Sequence, residues 1–181
     1  MSSYIYNDAL ESERLTTRFL TEDDISAWTS FCSDEESMEF FPELKLKTPQ
    51  ESAEFWIGLQ LNRYAENRYG LQALIHKQTG EFIGQCGLLS QVVGEQKELE
   101  VGYHVFRKYW GQGYAPEAAR MFIDFAFQNN QATSVISIID VPNSKSQKVA
   151  EKNNLVREKR MIWSELDVFI YRIEKNQFNN H

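Results

Sequence analysis

Residues 98–126 most limit how this chain can fold, because they read as a strand that stops at a tight glycine turn and restarts as a helix. Leu99, Val101, Tyr103 and Val105 alternate with Glu98, Glu100, Gly102 and His104, the period-two pattern of a strand. Beyond the turn, Ala118, Ala119, Phe122, Ile123, Phe125 and Ala126 recur at helical spacing. Gly111 and Gly113 sit where the chain reverses. Glycine takes positive φ without strain and lets a ligand come close to the backbone. Pro116 falls in the first helical turn, where a missing N–H costs nothing. A glycine turn feeding a helix with bare N–H groups is an anion site, phosphate above all.

The residues around the glycines exclude two phosphate loops. A Walker loop needs Lys and then Ser or Thr after its second glycine, and here Tyr114 and Ala115 follow. A Rossmann fingerprint needs Gly or Ala where this chain has Pro116. The spacing Lys108-x-x-Gly111-x-Gly113 instead resembles the acyl-CoA pyrophosphate loop of the GNAT acetyltransferases, with Lys108 in place of the usual Gln or Arg. Tyr114-Ala115-x-Glu117-Ala118 is similar to the Rim-type branch, which acetylates protein N-termini. Taken alone, the loop also reads as an ordinary strand-to-helix turn. Two further landmarks carry the resemblance. Glu13-Arg14-Leu15-x-x-Arg18-x-Leu20-x-x-x-Asp24 resembles the opening of Rim-type enzymes. Asn143-x-x-Ser146, then a helix, then Glu151-Lys152-x-Asn154-Leu155 matches the third, with Asn-Leu where the family has Gly-Phe. Asn tolerates the left-handed position that ends a helix, so that change is chemically mild. The resemblance spans about residues 11–173.

The rest of the chain reads as one α/β domain over residues 1–181, with a core from about 11 to 174. Strands are expected over 13–20, 71–76, 81–89, 97–105, 133–139, 156–163 and 166–173. Turns are expected at 77–80 and 90–96. Helices are expected from Thr21, from the capping box Thr48-Pro49-Gln50-Glu51 to about Asn67, after Gly113, and after Asn143. This gives about seven strands, mixed but mostly antiparallel, flanked by about four helices. The resemblance implies a splay between the fourth and fifth strands. Two glycines in one strand, Gly84 and Gly87, point to close approach by a backbone or a ligand. Met38, Phe40, Phe41 and Pro42 lie in a connection and read equally as a core plug or a ligand wall. The tail from Lys175 is polar and expected to fray.

Charge and cysteine usage bound the partners. A formal net charge of −7 argues against a nucleic-acid surface and suits a cationic substrate. Short apolar runs and an N-terminus without a basic or apolar region predict a cytoplasmic protein with no membrane span and no signal peptide. Cys32 and Cys86 read as reduced thiols in or near the core, and no metal spacing is present.

The resemblance implies transfer of an acetyl group from acetyl-CoA to an amine, by a monomer or homodimer that needs no metal. The acceptor would be a protein N-terminus or an amino-acid-like small molecule. The alternatives are a polyamine or drug, or an acyl-CoA-binding module with little turnover. The chemistry needs a grip on the phosphates, a donor to the thioester oxygen, a base for the ammonium proton and an acid for the thiolate. The grip would be Lys108, Gly111, Gln112, Gly113, Tyr114 and Ala115, largely through backbone N–H groups. By similarity, the oxygen donor is a backbone N–H between Tyr103 and Val105. Glu98, Glu100 and His104 share the strand's polar face, and Glu100 aligns best with the family's strand glutamate; a solvated outward face is the other reading. The tyrosine acid of many relatives falls at Ala150, so it is absent here. Ser146 is the expected substitute, and Asn143 both caps the helix and touches the pantetheine arm. Tyr103, Tyr114 and Trp110 neighbour the loop and read as packing, whereas Trp163, Tyr171 and the Met38–Phe41 cluster are candidates to shape the acceptor pocket.

Overall fold

In the computed structural model, which describes residues 6–41, 44 and 47–178, a single sheet has the strand order β1-β2-β3-β4-β5-β7-β6. Its strands are β1 (Leu15–Arg18), β2 (Leu71–His76), β3 (Phe82–Val93), β4 (Gln96–Val105), β5 (Ser134–Asp140), β6 (Val156–Trp163) and β7 (Leu166–Glu174). The helices are α1 (Ile25–Cys32), α2 (Pro49–Ala65), α3 (Tyr114–Gln128), α4 (Ser144–Lys152) and the single-turn α5 (Lys175–Phe178). Every neighbouring pair is antiparallel except β4 with β5. That parallel pair is joined at one register position, Glu100 opposite Ile136, and diverges beyond it.

Strand alternation sorts the core into layers on opposite faces of the sheet. Leu74, Ile83, Leu88, Leu99, Val101 and Val105 pack with Ala118, Phe122 and Ile123 of α3. Their chain neighbours Ala73, Phe82, Leu89 and Phe106 pack with Trp28 and Phe31 of α1 and Trp56 and Ile57 of α2. Thus β4 sends Val101, Tyr103 and Val105 toward α3 and α4, and Glu100, Gly102 and His104 toward α1 and α2. Both faces of β4 are covered, so its polar residues are not a solvated face: Glu100 is only 9% exposed.

The capping box at Thr48 and Glu51 closes in both directions, at 3.2 and 2.8 Å. At Thr21, the Asp24 carboxylate accepts from the Thr21 N–H and is also gripped by the Arg18 guanidinium. Helix α2 stops at Ala65, short of the expected Asn67, because Asn67 turns left-handed (φ 53°). Cβ atoms at Gly84 and Gly87 would collide with the backbones of His104 and Gly70, so strand neighbours, not a ligand, require these glycines. Cys32 and Cys86 are buried free thiols.

Two expectations need correction, and one that was open is resolved. The turn expected over 90–96 shrinks to Gly94-Glu95, and the ladder runs on through Val93 opposite Gln96. Gly94 supplies the positive φ (64°) of a two-residue hairpin turn, and Val92 and Val93 suit a strand. The tail begins with α5 rather than frayed coil, because Phe178 packs on Phe127 and lies under the Arg120 guanidinium; residues 179–181 lie outside the described residues. The connection after α1 serves both purposes: Met38 is core, while Phe40 and Phe41 line a cavity, and Pro42 lies outside the described residues. Among the described residues, no helix is long and apolar enough to cross a membrane.

Candidate active site

A cavity of about 420 Å³ opens where β4 and β5 part. It is lined from both faces of the sheet, so it is a passage through the splay. On one side lie Gly111, Gly113, Tyr114 and Ala115 of the glycine loop and the start of α3, with Asn143, Ser146 and Lys148 of α4 and its cap. On the other lie Phe31, Phe41, Leu89, Glu100 and His104. The strand edges between them are Tyr103, Val105 and residues 137–140.

The glycine loop has the form expected of an anion site. Gly111 and Gly113 are left-handed, with φ of 75° and 83°, and Gly113 is the N-cap of α3. A glycine N-cap has no side chain to offer, so the first N–H groups of α3 are left for a ligand. Arg14 fixes the loop from outside. Its guanidinium donates to the Gln112 carbonyl at 3.0 Å and lies over the Tyr114 ring at 4.2 Å. Glu117, in the first turn of α3, accepts from Ser12 Oγ, Arg14 N and Arg14 Nε, each at 2.7 Å. Burial works to raise the Glu117 carboxyl, but those hydrogen bonds and the Arg14 charge outweigh it and hold the group below its ordinary value. The Ser12–Arg14–Glu117 buttress was not read from the sequence; the signal was the co-occurrence of Arg14 and Glu117 in two landmarks taken separately.

Two residues assigned to the grip do not line the cavity. Lys108 points outward, with its Nζ 3.7 Å from Glu81 and over the Tyr109 ring. The Gln112 side chain folds back to donate to the Lys108 carbonyl at 3.1 Å. Neither side chain lines the cavity. Trp110 does line the cavity, held by its Nε1 donating to the Val105 carbonyl at 2.7 Å. Trp163 and Tyr171 do not. Trp163 Nε1 donates to the Val92 carbonyl, and Tyr171 is core, beside Arg157.

The ladder shows which β4 N–H groups are available. Phe106 N donates to the Ile83 carbonyl, so by two-residue alternation the N–H groups of Gly102 and His104 also face β3. Those of Tyr103 and Val105 face the other way, into the splay. In agreement, the Val101 and Val105 carbonyls meet Ser137 Oγ and Trp110 Nε1.

Among the three candidate bases the environments differ sharply. Glu98 is held by Arg172 through two hydrogen bonds of 2.7 and 3.0 Å. His104 sits among the rings of Phe31, Phe41 and Trp56, and burial pushes it down to about 3, so it is neutral. Glu100 forms no salt bridge among the described residues. Gln91 Nε2 donates to it at 2.7 Å and Ile138 N reaches it at 3.4 Å. Burial pushes its carboxyl up to about 7, against those hydrogen bonds and the distant Arg63 charge. Such a group exchanges a proton near neutrality. Gln91 is a site residue that the sequence reading placed in a turn.

At the start of α4, Asn143 Oδ1 accepts from Ser146 N at 3.1 Å, the expected cap. Tyr103 reaches across from β4. Its hydroxyl donates to the Ser146 carbonyl at 2.9 Å and lies 2.9 Å from Ser146 Oγ. Burial raises the Tyr103 phenol, so it stays protonated and can only donate or accept hydrogen bonds.

Residues 14–156 match the acetyltransferase (GNAT) domain family. The chain belongs to the GNAT acetyltransferases. It is 34% identical over 146 residues to the uncharacterised protein YkkB of Bacillus subtilis (strain 168), covering 79% of this chain and 82% of that one. It is 27% identical to the N-acetyltransferase p20 of Bacillus licheniformis, itself uncharacterised, over 94% and 98% of the two chains. A GNAT-family acetyltransferase structure from Bacillus anthracis superposes with a TM-score of 0.77 at 23% identity, over 92% and 98% of the chains. At 14% and 18% identity, RimL in complex with coenzyme A and a spermidine N-acetyltransferase SpeG chimera from Vibrio cholerae and hSSAT share the fold, with TM-scores of 0.75 and 0.74. The chain is an acetyl-CoA-dependent N-acetyltransferase. Its own residues fit that donor: uncapped N–H groups at α3 for phosphates, strand N–H groups in the splay for the pantetheine arm and thioester, and hydroxyls at α4 for the thiol end.

Proposed function

We propose that this GNAT enzyme belongs to the Rim-type branch and acetylates a primary amine that enters from the α1/α2 face. The amine belongs to a protein N-terminus or an amino-acid-like small molecule. The carrying observation is the passage itself, with a carboxylate poised near neutrality on one face and a hydroxyl and phosphate grip on the other. Glu100, directly or through water, accepts the ammonium proton. The N–H groups of Tyr103 and Val105 point to where the thioester oxygen would gain charge. The amine nitrogen bonds to the thioester carbon, the carbon–sulfur bond breaks, and the second proton on that nitrogen passes to solvent to leave the neutral amide. Ser146 Oγ donates to the sulfur that leaves as thiolate, which solvent then protonates.

A polyamine or drug amine is a second reading, because the acceptor mouth carries Glu39 and Glu100 beside its aromatic wall. Glu36 contributes less negative charge there, since it is paired with Arg107 at 2.9 Å and Lys145 at 3.7 Å. Thiol release from acetyl-CoA, followed with a panel of N-terminal peptides, amino acids, polyamines and aromatic amines, tests both readings. Amine-dependent release with the acetylated amine found by mass spectrometry is expected. Release no faster than in buffer with every amine, while CoA still binds, would leave an acyl-CoA-binding module instead.

A further inference from the structure

Two cavities meet at one pair of side chains. Besides the passage, a groove of about 530 Å³ lies at the far ends of β3, β4 and β5, lined by Gln91, Lys97, Glu98, Thr133 and Ser134 among others. Gln91 lines the groove and not the passage, whereas Glu100 lines the passage and not the groove. Between them runs one hydrogen bond, from Gln91 Nε2 to Glu100 Oε2 at 2.7 Å. The sheet register brings the two together. Leu89 stands opposite Glu100 and Gln91 opposite Glu98, so Gln91 is the diagonal neighbour of Glu100 on the same face. Glu98, directly across from Gln91, is already held by Arg172. The Gln91 amide is therefore left to Glu100.

The rest of the surroundings hold that carboxyl loosely. The Ile138 N–H of β5 reaches it at 3.4 Å, a long contact. Arg63 of α2 acts on it by charge at a distance. Glu39, in the connection after α1, and Asp140, at the end of β5, line the same passage. On β4 itself, His104 is neutral, the Tyr103 phenol stays protonated, and Glu98 is paired. Gln91 is thus the close side-chain partner. A carboxyl that takes up and releases a proton needs a partner in both states. An amide serves both, because it donates to the carboxylate from nitrogen and, turned over, accepts from the acid at oxygen. A lysine or arginine would hold the carboxylate alone, and an aliphatic side chain would hold neither form.

We infer that Gln91 is the positioning residue of Glu100: it holds the carboxyl in the passage through both protonation states and walls it off from the groove behind. The inference rests on the reading of Glu100 as the base. Donation to the carboxylate favours the ionised form, and water entering from the groove would favour it too. Gln91→Met keeps the length of the side chain and removes the amide, so Glu100 should titrate about one pH unit higher. Gln91→Ala also removes the amide but opens the groove to water, so Glu100 should titrate lower there than in Gln91→Met. Carbon-13 NMR of the glutamate carboxyl carbons in the intact protein reads both, with the Glu100 resonance assigned by its loss in Glu100→Gln. In Gln91→Met, kcat should fall about fivefold at pH 7 and recover at alkaline pH, because the rising limb moves with the carboxyl. A merely structural loss would lower kcat at every pH. A Glu100 titration unmoved in Gln91→Met overturns the positioning role, and one that coincides in the Met and Ala variants overturns the wall. A titration that moves while the pH dependence of kcat stays put overturns the reading of Glu100 as base, and with it the part of Gln91 in the reaction.

Discussion

On the α3/α4 face the passage is lined by backbone N–H groups, hydroxyls and lysines; on the α1/α2 face it is lined by aromatic rings and carboxylates. In the proposed mechanism the donor side relies on groups that need no titration, braced by Arg14, just before β1, and Glu117 of α3. The acceptor side, on the same proposal, depends on the protonation state of one buried carboxyl. The difference follows the chemistry each side handles, because the donor arrives as a polyanion and the acceptor as a cation. It also predicts how each side fails. Acceptor-side substitutions should change rate and its pH dependence, whereas donor-side substitutions should change affinity.

The largest effect is expected at Glu100. Glu100→Gln keeps the shape and the place beside Gln91 but removes the base, so kcat at neutral pH should fall by about 10²–10⁴ with CoA affinity unchanged. With a carboxyl at about 7, the wild-type rate should climb as pH rises through neutrality, and that limb should vanish in the variant. The same group predicts a stability effect of definite sign. Its folded value lies above the 4.5 of an ordinary glutamate, so the folded state binds more protons across that window and loses stability as pH rises from about 4.5 through 7. At pH 8, Glu100→Gln should therefore unfold later than wild type, by up to about 3 kcal/mol, and at pH 4 the advantage should disappear. His104 acts in the other direction. It is depressed to about 3, so the stability of its neutral form is present above about 6.5 and lost as pH falls below that. An unchanged pH–rate profile in Glu100→Gln would remove the contrast between the two faces.

Next in size is the donor loop. A Cβ at Gly113 would find Arg14 Nη2 at 3.4 Å, an ordinary contact, and one at Gly111 would meet nothing within 4 Å. Either valine should fold, at about 1–2 kcal/mol for a left-handed β-branched residue. CoA binding, which needs the loop backbone at close range, should weaken by about a hundredfold or more in Gly113→Val, read by calorimetry. Wild-type affinity in a folded variant would show that the loop backbone is not the grip. A smaller loss, about tenfold, is expected for Arg14→Ala, which frees the Gln112 carbonyl and removes one of the three hydrogen bonds to Glu117 without touching the ligand.

The donor face was far more legible in the sequence than the acceptor face. Phosphate binding at a helix start uses backbone, and backbone geometry is announced by glycine and proline at fixed offsets, as at Gly111, Gly113 and Pro116. The order of strands and helices followed from periodicity for the same reason. The acceptor face depends on which side chains meet across long sequence distances. Glu98, Glu100 and His104 are indistinguishable by pattern, and only the approach of Arg172 and of the Phe31, Phe41 and Trp56 rings separates them. Gln91 was misplaced because a polar pair, Ser90-Gln91, looks like a turn until the ladder sets it next to Leu89, opposite Glu98. Tyr103 read as packing, and its hydroxyl gains meaning only from α4, whose Ser146 lies 43 residues away.

The smallest effect, that of Tyr103, is expected at that contact. Ser146→Ala should slow turnover by about ten- to a hundredfold, the worth of one hydrogen bond to developing charge, with little change in CoA affinity. The Tyr103 phenol acts on the thiol end through Ser146, so Tyr103→Phe should slow turnover less, by about three- to tenfold. The two should not combine. With the phenol as donor in its 2.9 Å contact with Ser146 Oγ, the serine hydrogen is free to turn toward the cleft. Once the serine hydroxyl is gone, the orientation the phenol enforces has no consequence, and Tyr103→Phe in the Ser146→Ala background should change kcat by less than about twofold. Steady-state kinetics on the four proteins closes the cycle. Additive losses would mean that Tyr103 supports α4 as packing alone, and a neutral Ser146→Ala would leave the thiolate to solvent and the hydroxyl to its helix.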